Sequence, residues 1–456
     1  MNISDYRKIY MIGIGGIGMS ALARYFLAVG KDVAGYDRVS TPLTDELTEE
    51  GARIHFSDEA NMVKQEYTNP GDTLVVFTPA VPSSHKELTY FRDGGFSVLK
   101  RSEVLGMLTK DKRCIAVAGT HGKTTISTLI AHLFQTAGIP CSAFLGGISK
   151  NFQTNALISK GDEWMVVEAD EFDRSFLKLY PDKAVITSCD PDHLDIYGDA
   201  SKLESSFRQF ISQVKNGGEI LIRKDVEHLA TKRNAEGIYT YSLEPGAAFY
   251  TTGMKLTQGQ YSFDLHTPSG ILKGFKTVLP GLVNVENAVA AAAMGQLLGM
   301  EEKIITKAIG SYKGVKRRFD VRINREDMVY IDDYAHHPRE LESFIRSVRE
   351  LYPGRTITGI FQPHLYSRTR DFAEGFASSL SKLDELILLD IYPARELAIP
   401  GVTSEIIFKN VLLEKKILCT GKDLMEELKK RHPEILLTMG AGDIDRFVEP
   451  IIELFS

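Results

Sequence analysis

The sequence predicts an α/β fold built on parallel sheets, because short apolar runs alternate with helix-length amphipathic stretches from end to end. Several of those runs stop at clusters of glycine or reactive residues: GIGGIG, GTHGKTT, EADEFD, SCDPDHLD, DDYAHHP, FQPHLYSRTR and MGAGD. Open parallel sheets bind ligands beyond the carboxyl ends of their strands, so these endings describe an enzyme with one extended cleft or several adjoining ones.

Strands are expected at residues 8–13, 73–78, 114–118, 165–168, 184–187, 328–331, 356–361, 385–389 and 435–439. Residues 217–275 carry short alternating runs such as YSFDLHTPSG, which predict inserted antiparallel strands. The alanine-rich stretch 287–300 contains Gln296 and is too short for a membrane span of ~20 residues, so it predicts a buried helix. A chain of 456 residues has room for two to four domains. Natural breaks fall in the polar LTKDKR near residue 108 and in the basic YKGVKRR near Gly314.

Composition narrows the function classes. A net charge of -6, with 43% apolar and 25% charged residues, argues against nucleic-acid partners and anionic membrane surfaces. The first twenty residues lack the regions of a signal peptide, and Cys114, Cys141, Cys189 and Cys419 are scattered without metal or disulfide spacing. A soluble cytoplasmic protein with reduced thiols is expected.

At the N-terminus, Gly13, Gly15 and Gly18 fit GxGxxG between a strand and a helix, with Asp37 at the end of the next strand. Such glycines let a diphosphate approach Gly15, Gly16, Ile17 and Gly18, and the carboxylate accepts hydrogen bonds from a ribose. The motif reports a nucleotide diphosphate, not nicotinamide in particular.

The strongest local signal is Gly119, Thr120, His121, Gly122, Lys123, Thr124 and Thr125, set between the strand CIAVA and the helical ISTLIAHLFQTAG. Backbone N–H groups of this loop cradle phosphates, Lys123 reaches the β- and γ-phosphates, and the Thr124 hydroxyl binds Mg²⁺. Val117 stands where a full phosphate-loop motif has its first glycine. Downstream, Glu168 ends an apolar strand and offers a hard oxygen ligand to the same Mg²⁺. The next strand ends in Asp190, Asp192 and His193, where an imidazole can serve a second divalent ion or cap a helix. In the last third, DDYAHHP and FQPHLYSRTR gather titratable groups and arginine at two strand ends.

In order and spacing, GIGGIGM, GTHGKTT, VVEADE, DHLD, NVENA, DDYAHHP, FQPHLYSRTR and MGAGD resemble the Mur ligases of peptidoglycan synthesis, over essentially the whole chain. The resemblance implies three domains: a Rossmann-like UDP-sugar domain (1–108), a central phosphate-loop ATPase domain (109–314) and a Rossmann-like amino-acid domain (315–456). It implies ATP and Mg²⁺ as cofactors, UDP-N-acetylmuramate and L-alanine as substrates, and a monomer or homodimer. It places Thr78 with the UDP-sugar; Asn284, Asn287, Arg317, Asp332 and Tyr334 with ATP; His193 with the second metal; and His336 and Arg368 beside the reacting groups. A sister activity, joining a tripeptide to the same sugar, is the alternative reading. A nicotinamide oxidoreductase would leave GTHGKTT without a task. The chain departs from the family pattern at Ser188, Val283 and Leu365, where relatives carry asparagine, histidine and arginine.

Overall fold

The computed structural model describes residues 2–159, 161, 164–191, 194–230, 237–257, 259–394 and 396–456. Its strands fall into three sheets. The first holds β1 (Lys8–Ile12), β2 (Asp32–Tyr36), β3 (Arg53–His55), β4 (Thr73–Phe77) and β5 (Ser97–Lys100), all parallel, in the order β3-β2-β1-β4-β5. β1 reads KIYMI because Ile9 to Ile12 are buried on both faces, as a central parallel strand requires. The chain reverses its winding between β1 and β4, so the crevice at the carboxyl end of β1 opens onto GIGGIG.

The second sheet holds β6 (Arg113–Ala118), β7 (Cys141–Phe144), β8 (Ala156–Leu157), β9 (Trp164–Ala169), β10 (Lys183–Ile186), β11 (Glu219–Arg223), β12 (Gly237–Ser242), β13 (Phe249–Thr257), β14 (Gln260–Thr267) and β15 (Gly270–Lys276). Their order is β15-β14-β13-β12-β11-β10-β6-β9-β7-β8. β11 and β12 extend the parallel sheet, and β13 pairs parallel with β12, which corrects the expectation of antiparallel strands across 217–275. The expected antiparallel pairing is present in β14–β15, joined by the tight turn at Pro268 and Ser269.

The third sheet holds β16 (Asp320–Asn324), β17 (Val329–Asp333), β18 (Ile357–Phe361), β19 (Glu385–Leu389), β20 (Lys416–Cys419) and β21 (Ile435–Met439), in the order β16-β17-β21-β18-β19-β20. Only β16 runs antiparallel to its neighbour. Inserting β21 between β17 and β18 brings DDYAHHP, MGAGD and FQPHLYSRTR to neighbouring strand ends.

The chain forms two compact units. One comprises 1–255, 262–276 and 286–313, and the other 256–261, 277–285 and 314–456. The helix Leu282–Leu297 is buried along Ala288 to Met294, as its composition predicts. All four thiols are free. Among the described residues no helix is long and apolar enough to cross a membrane.

Candidate active site

The loop after β6 is shaped by two glycines with backbone angles that side chains rarely adopt: Gly119 at φ +140 and Gly122 at φ +79. It leads into the helix Lys123–Ala137, whose first N–H groups have no partner inside the helix. The loop is braced from the end of β10. The Thr120 N–H donates to the Ser188 carbonyl at 3.3 Å, and the Thr120 and Ser188 hydroxyls share a hydrogen bond at 2.9 Å. Ser188 Oγ also accepts the His121 N–H at 2.9 Å, and the Thr187 hydroxyl donates to the His121 carbonyl. The His121 Nε2 sits 3.1 Å from Asp190 Oδ2. Asn287 lies against the loop, since a Cβ on Gly122 would come 2.8 Å from its Oδ1.

Lys123 is held by three contacts. Its ammonium donates to the Gly119 carbonyl at 2.7 Å and to both oxygens of Glu171 at 3.0 and 2.7 Å. Burial alone would lower its pKa, but the carboxylates of Glu171, Asp170 and Glu168 outweigh that and hold the ammonium above its ordinary value. Glu168, at the end of β9, accepts the Gly146 N–H at 3.1 Å, and Val117 on β6 lies opposite it in register. Thr124 is buried at the start of the helix. Sequence reasoning favoured Glu168 and passed over Glu171 three residues on, because nothing local distinguishes a carboxylate that faces a lysine from one that faces solvent. His193 and Asp192 lie outside the described residues.

In the first sheet, Asp37 turns inward. Its Oδ2 accepts the Gly15 N–H at 2.7 Å, while Oδ1 accepts the Arg38 N–H at 2.7 Å. The Thr78 methyl fills the space beside Gly13 where a Cβ would stand. Gly16 donates to the Gly13 carbonyl at 3.3 Å, and Ile17 opens the helix Ile17–Ala28. Gly18 faces Arg101, whose Nη1 would be 3.0 Å from a Cβ there, so a guanidinium stands beside the glycine loop. No motif in the sequence drew attention to Arg101.

At the end of β17, Asp332 is buried; it accepts the Thr438 hydroxyl at 2.7 Å and lies 3.4 Å from Arg317 Nε. Burial raises its pKa, against the pull of Arg317 and Thr438. Arg317 also donates to the Gly440 carbonyl at 2.6 Å, which ties the basic segment to MGAGD. The Tyr334 ring packs beneath two guanidiniums, Arg317 at 5.1 Å and Arg318 at 4.9 Å. His336 Nδ1 is 3.0 Å from the Tyr334 carbonyl. A carbonyl only accepts, so Nδ1 carries the hydrogen and Nε2 is the basic nitrogen of the neutral ring. Glu340 receives the His336 and His337 N–H groups at 3.0 and 3.2 Å and fixes this turn. Arg368 is buried in the short helix Tyr366–Asp371, and its charge acts on Tyr334. Asn284 donates to the Pro280 carbonyl at 2.7 Å, in the first turn of its helix.

Asp333 has a defined pH signature. Its carboxyl accepts the Phe319 and Ala335 N–H groups, each at 2.7 Å, yet burial outweighs these and Arg318 and raises its pKa to about 6. A folded-state value above the unfolded one means the folded protein holds this proton more tightly. The resulting stabilisation is complete below pH ~4 and is lost as pH rises through about 6. Urea unfolding of wild type and Asp333→Asn should therefore show wild type losing ground relative to the variant between pH 4.5 and 7. A gap independent of pH would contradict this.

Three family models match: the Mur ligase family catalytic domain over residues 8–113, the Mur ligase middle domain over 117–295, and the Mur ligase glutamate ligase domain over 317–442. The chain belongs to the Mur ligase family. Within it, the chain is 51% identical to the UDP-N-acetylmuramate–L-alanine ligase of Parabacteroides distasonis, covering 100% of this chain and 98% of that protein. The corresponding ligase of Porphyromonas gingivalis strain W83 is 50% identical, over 98% of each. Among solved structures, UDP-N-acetylmuramate-alanine ligase of Thermotoga maritima superposes with a TM-score of 0.82 at 25% identity, covering 98% of this chain and 99% of that one. A murein peptide ligase from Psychrobacter arcticus shares the fold, with a TM-score of 0.73 at 21% identity and 98% coverage of both chains.

Proposed function

We propose that this chain joins L-alanine to the lactyl carboxylate of UDP-N-acetylmuramate, consuming ATP and releasing ADP and phosphate, in peptidoglycan precursor synthesis. The observation that carries the reading is 51% identity along the full chain to an enzyme of that name. The tripeptide-adding alternative is not favoured; the murein peptide ligase, at 21% identity, supports the fold alone. Phosphate release with UDP-N-acetylmuramate and ATP, compared between alanine and the tripeptide, tests the choice. Turnover with the tripeptide alone would reverse it.

In this reading the labour is divided among three domains, 1–108, 109–314 and 315–456. The first binds the UDP-sugar at Gly15, Gly16, Ile17, Gly18, Asp37 and Thr78, and Arg101 adds a cation for the diphosphate. The second binds ATP over residues 119–125, with Asn287 against the loop and Asn284 in the same helix. A carboxylate resists attack by an amine at neutral pH, so it first takes the γ-phosphoryl group. Lys123, fixed and charged, stabilises the charge spread over that group in transfer. The amine of alanine then attacks the acyl carbon and phosphate departs. His336 takes the amine proton on Nε2, and Arg317, Asp332, Tyr334 and Arg368 hold the surrounding charges.

The donors Thr124 and Glu168 fit Mg²⁺, because both offer oxygen. Among the described residues no cluster of three or more His, Cys, Asp and Glu side chains holds a metal by itself, and Mg²⁺ normally takes one or two protein oxygens and the rest from phosphates and water. When bound, the ion would neutralise developing phosphate charge, and His193 would serve a second ion. A cytoplasmic location and a monomeric or homodimeric state complete the proposal.

Asp37→Ala should raise the Michaelis constant for the UDP-sugar about 10-fold, through a lost contact of ~1–3 kcal/mol, and leave that for ATP unchanged. Since Asp37 also holds the Gly15 N–H, the melting temperature should fall as well. An unchanged sugar constant with a lowered melting temperature would make Asp37 a brace alone.

A further inference from the structure

We infer that Asn155 is a positioning residue that fastens the glycine-loop helix of the first sheet to the ATP-binding half of the same compact unit, and so sets the span between the two substrates. Asn155 is fully buried. Its Nδ2 donates to the Ile17 carbonyl at 2.6 Å and to Ser20 Oγ at 2.8 Å, while Oδ1 accepts from Arg24 Nη1. All three partners lie on the helix Ile17–Ala28, which opens from GIGGIG. Arg24 is in turn oriented by Glu46 at 2.7 Å and Glu50 at 2.9 Å, so the acceptor side of the amide meets a guanidinium fixed on both flanks.

The other end of the fastening leads to the phosphate loop. The Asn155 carbonyl accepts the Leu145 N–H at 2.9 Å, and the next residue, Gly146, donates to Glu168 Oε2 at 3.1 Å. Glu168 is one of the carboxylates whose charge acts on Lys123. A Cβ on Gly146 would collide with the Glu168 carboxylate, so this segment approaches as closely as backbone can. One buried residue therefore links the first turn of the sugar-nucleotide helix, through its side chain, to the strand end that carries Glu168, through its backbone carbonyl. The inference rests on the ligase reading, in which the lactyl carboxylate on one side must reach the γ-phosphate on the other to within ~3–3.5 Å.

Asn155→Asp isolates this role. The replacement is the same size and keeps its acceptor toward Arg24, but it cannot donate to Ile17 and Ser20, and its charge repels the Ile17 carbonyl. The folded protein should bind each nucleotide within about 3-fold of wild type and turn over at least 10-fold more slowly. It should also leak: water replaces the amine at the acyl carbon, the C–O bond to phosphate breaks, the carboxylate is regenerated, and ATP is consumed without amide. Phosphate released per amide formed, near one in wild type, should rise severalfold, which a mere loss of stability does not cause. Ser20→Ala, which removes one acceptor and adds no charge, should shift the ratio in the same direction to a smaller degree. If both folded variants match wild type in turnover and in the ratio, the assignment of Asn155 is overturned alone. If wild type itself forms no amide from alanine, the ligase reading fails and this inference with it.

Discussion

Replacing Lys123 by alanine is expected to slow phosphoryl transfer about 1,000-fold or more and to leave UDP-sugar binding within about 2-fold, because in the proposed reaction the ammonium acts where charge develops, and the glycine loop proposed for the sugar nucleotide belongs to another sheet. A rate loss alone would be ambiguous. Lys123 is 13% exposed and its partner Glu171 only 1%, and breaking a buried ion pair from one side costs about 3–5 kcal/mol. The single variant therefore loses stability as well as chemistry. Pairing it with Glu171→Gln removes both charges and should recover most of the melting temperature, while the rate stays low. A double variant that regains turnover together with stability would show that Lys123 holds the fold and does not serve the reaction. Single-turnover measurement of ADP formation, with UDP-sugar affinity by calorimetry, separates these outcomes.

What could be read in the sequence follows from how local each signal is. The nine strand segments and the buried helix Leu282–Leu297 rest on runs of apolar residues, which parallel sheets bury on both faces, and each has its counterpart in the structure. The glycine loop after β6 was equally legible as a turn, since Gly119 and Gly122 stand where only glycine takes the backbone angle without strain. The partners of that loop were not. Ser188 drew notice only as a departure from the family pattern, yet its hydroxyl meets both Thr120 and His121 across the strand pair β6–β10. Pairings of this kind join residues some seventy positions apart, and no periodicity or spacing encodes them. Leu365 teaches the same lesson in reverse. Its neighbours suggest a charged site, but it is buried with φ at +69, an angle leucine rarely takes, at the entry to the helix that carries Arg368. Asp37 was legible as a carboxylate at a strand end; its grip on the Gly15 N–H became visible only once β1 and β2 were side by side.

Gly119→Ala should be nearly as damaging as the loss of Lys123, through packing and backbone strain, with no catalytic group removed. The new Cβ would overlap Thr187 Oγ1 and stand 2.8 Å from the Ser188 backbone nitrogen and 3.0 Å from Thr187 Cβ. None of these yields easily. Thr187 follows directly on β10, whose Ile186 is in register with Ala118 of β6, and the Thr187 N–H donates to the Ala118 carbonyl at 2.9 Å. The loop must therefore move instead, and at φ +140 it would be strained by any side chain even with room to spare. Strain and overpacking together should lower stability by roughly 2–5 kcal/mol. Moving the loop also pulls the Gly119 carbonyl away from the Lys123 ammonium and breaks the Ser188 brace on His121. A displacement of ~1 Å at the reacting centre costs about 100-fold in rate, so kcat/KM for ATP should fall by at least that factor, while the Michaelis constant for the UDP-sugar stays near wild type. Ser188→Ala, which loosens the brace without adding an atom, should fall between wild type and Gly119→Ala. A Gly119→Ala protein that kept half of the wild-type kcat/KM for ATP would mean that this loop does not hold the phosphates.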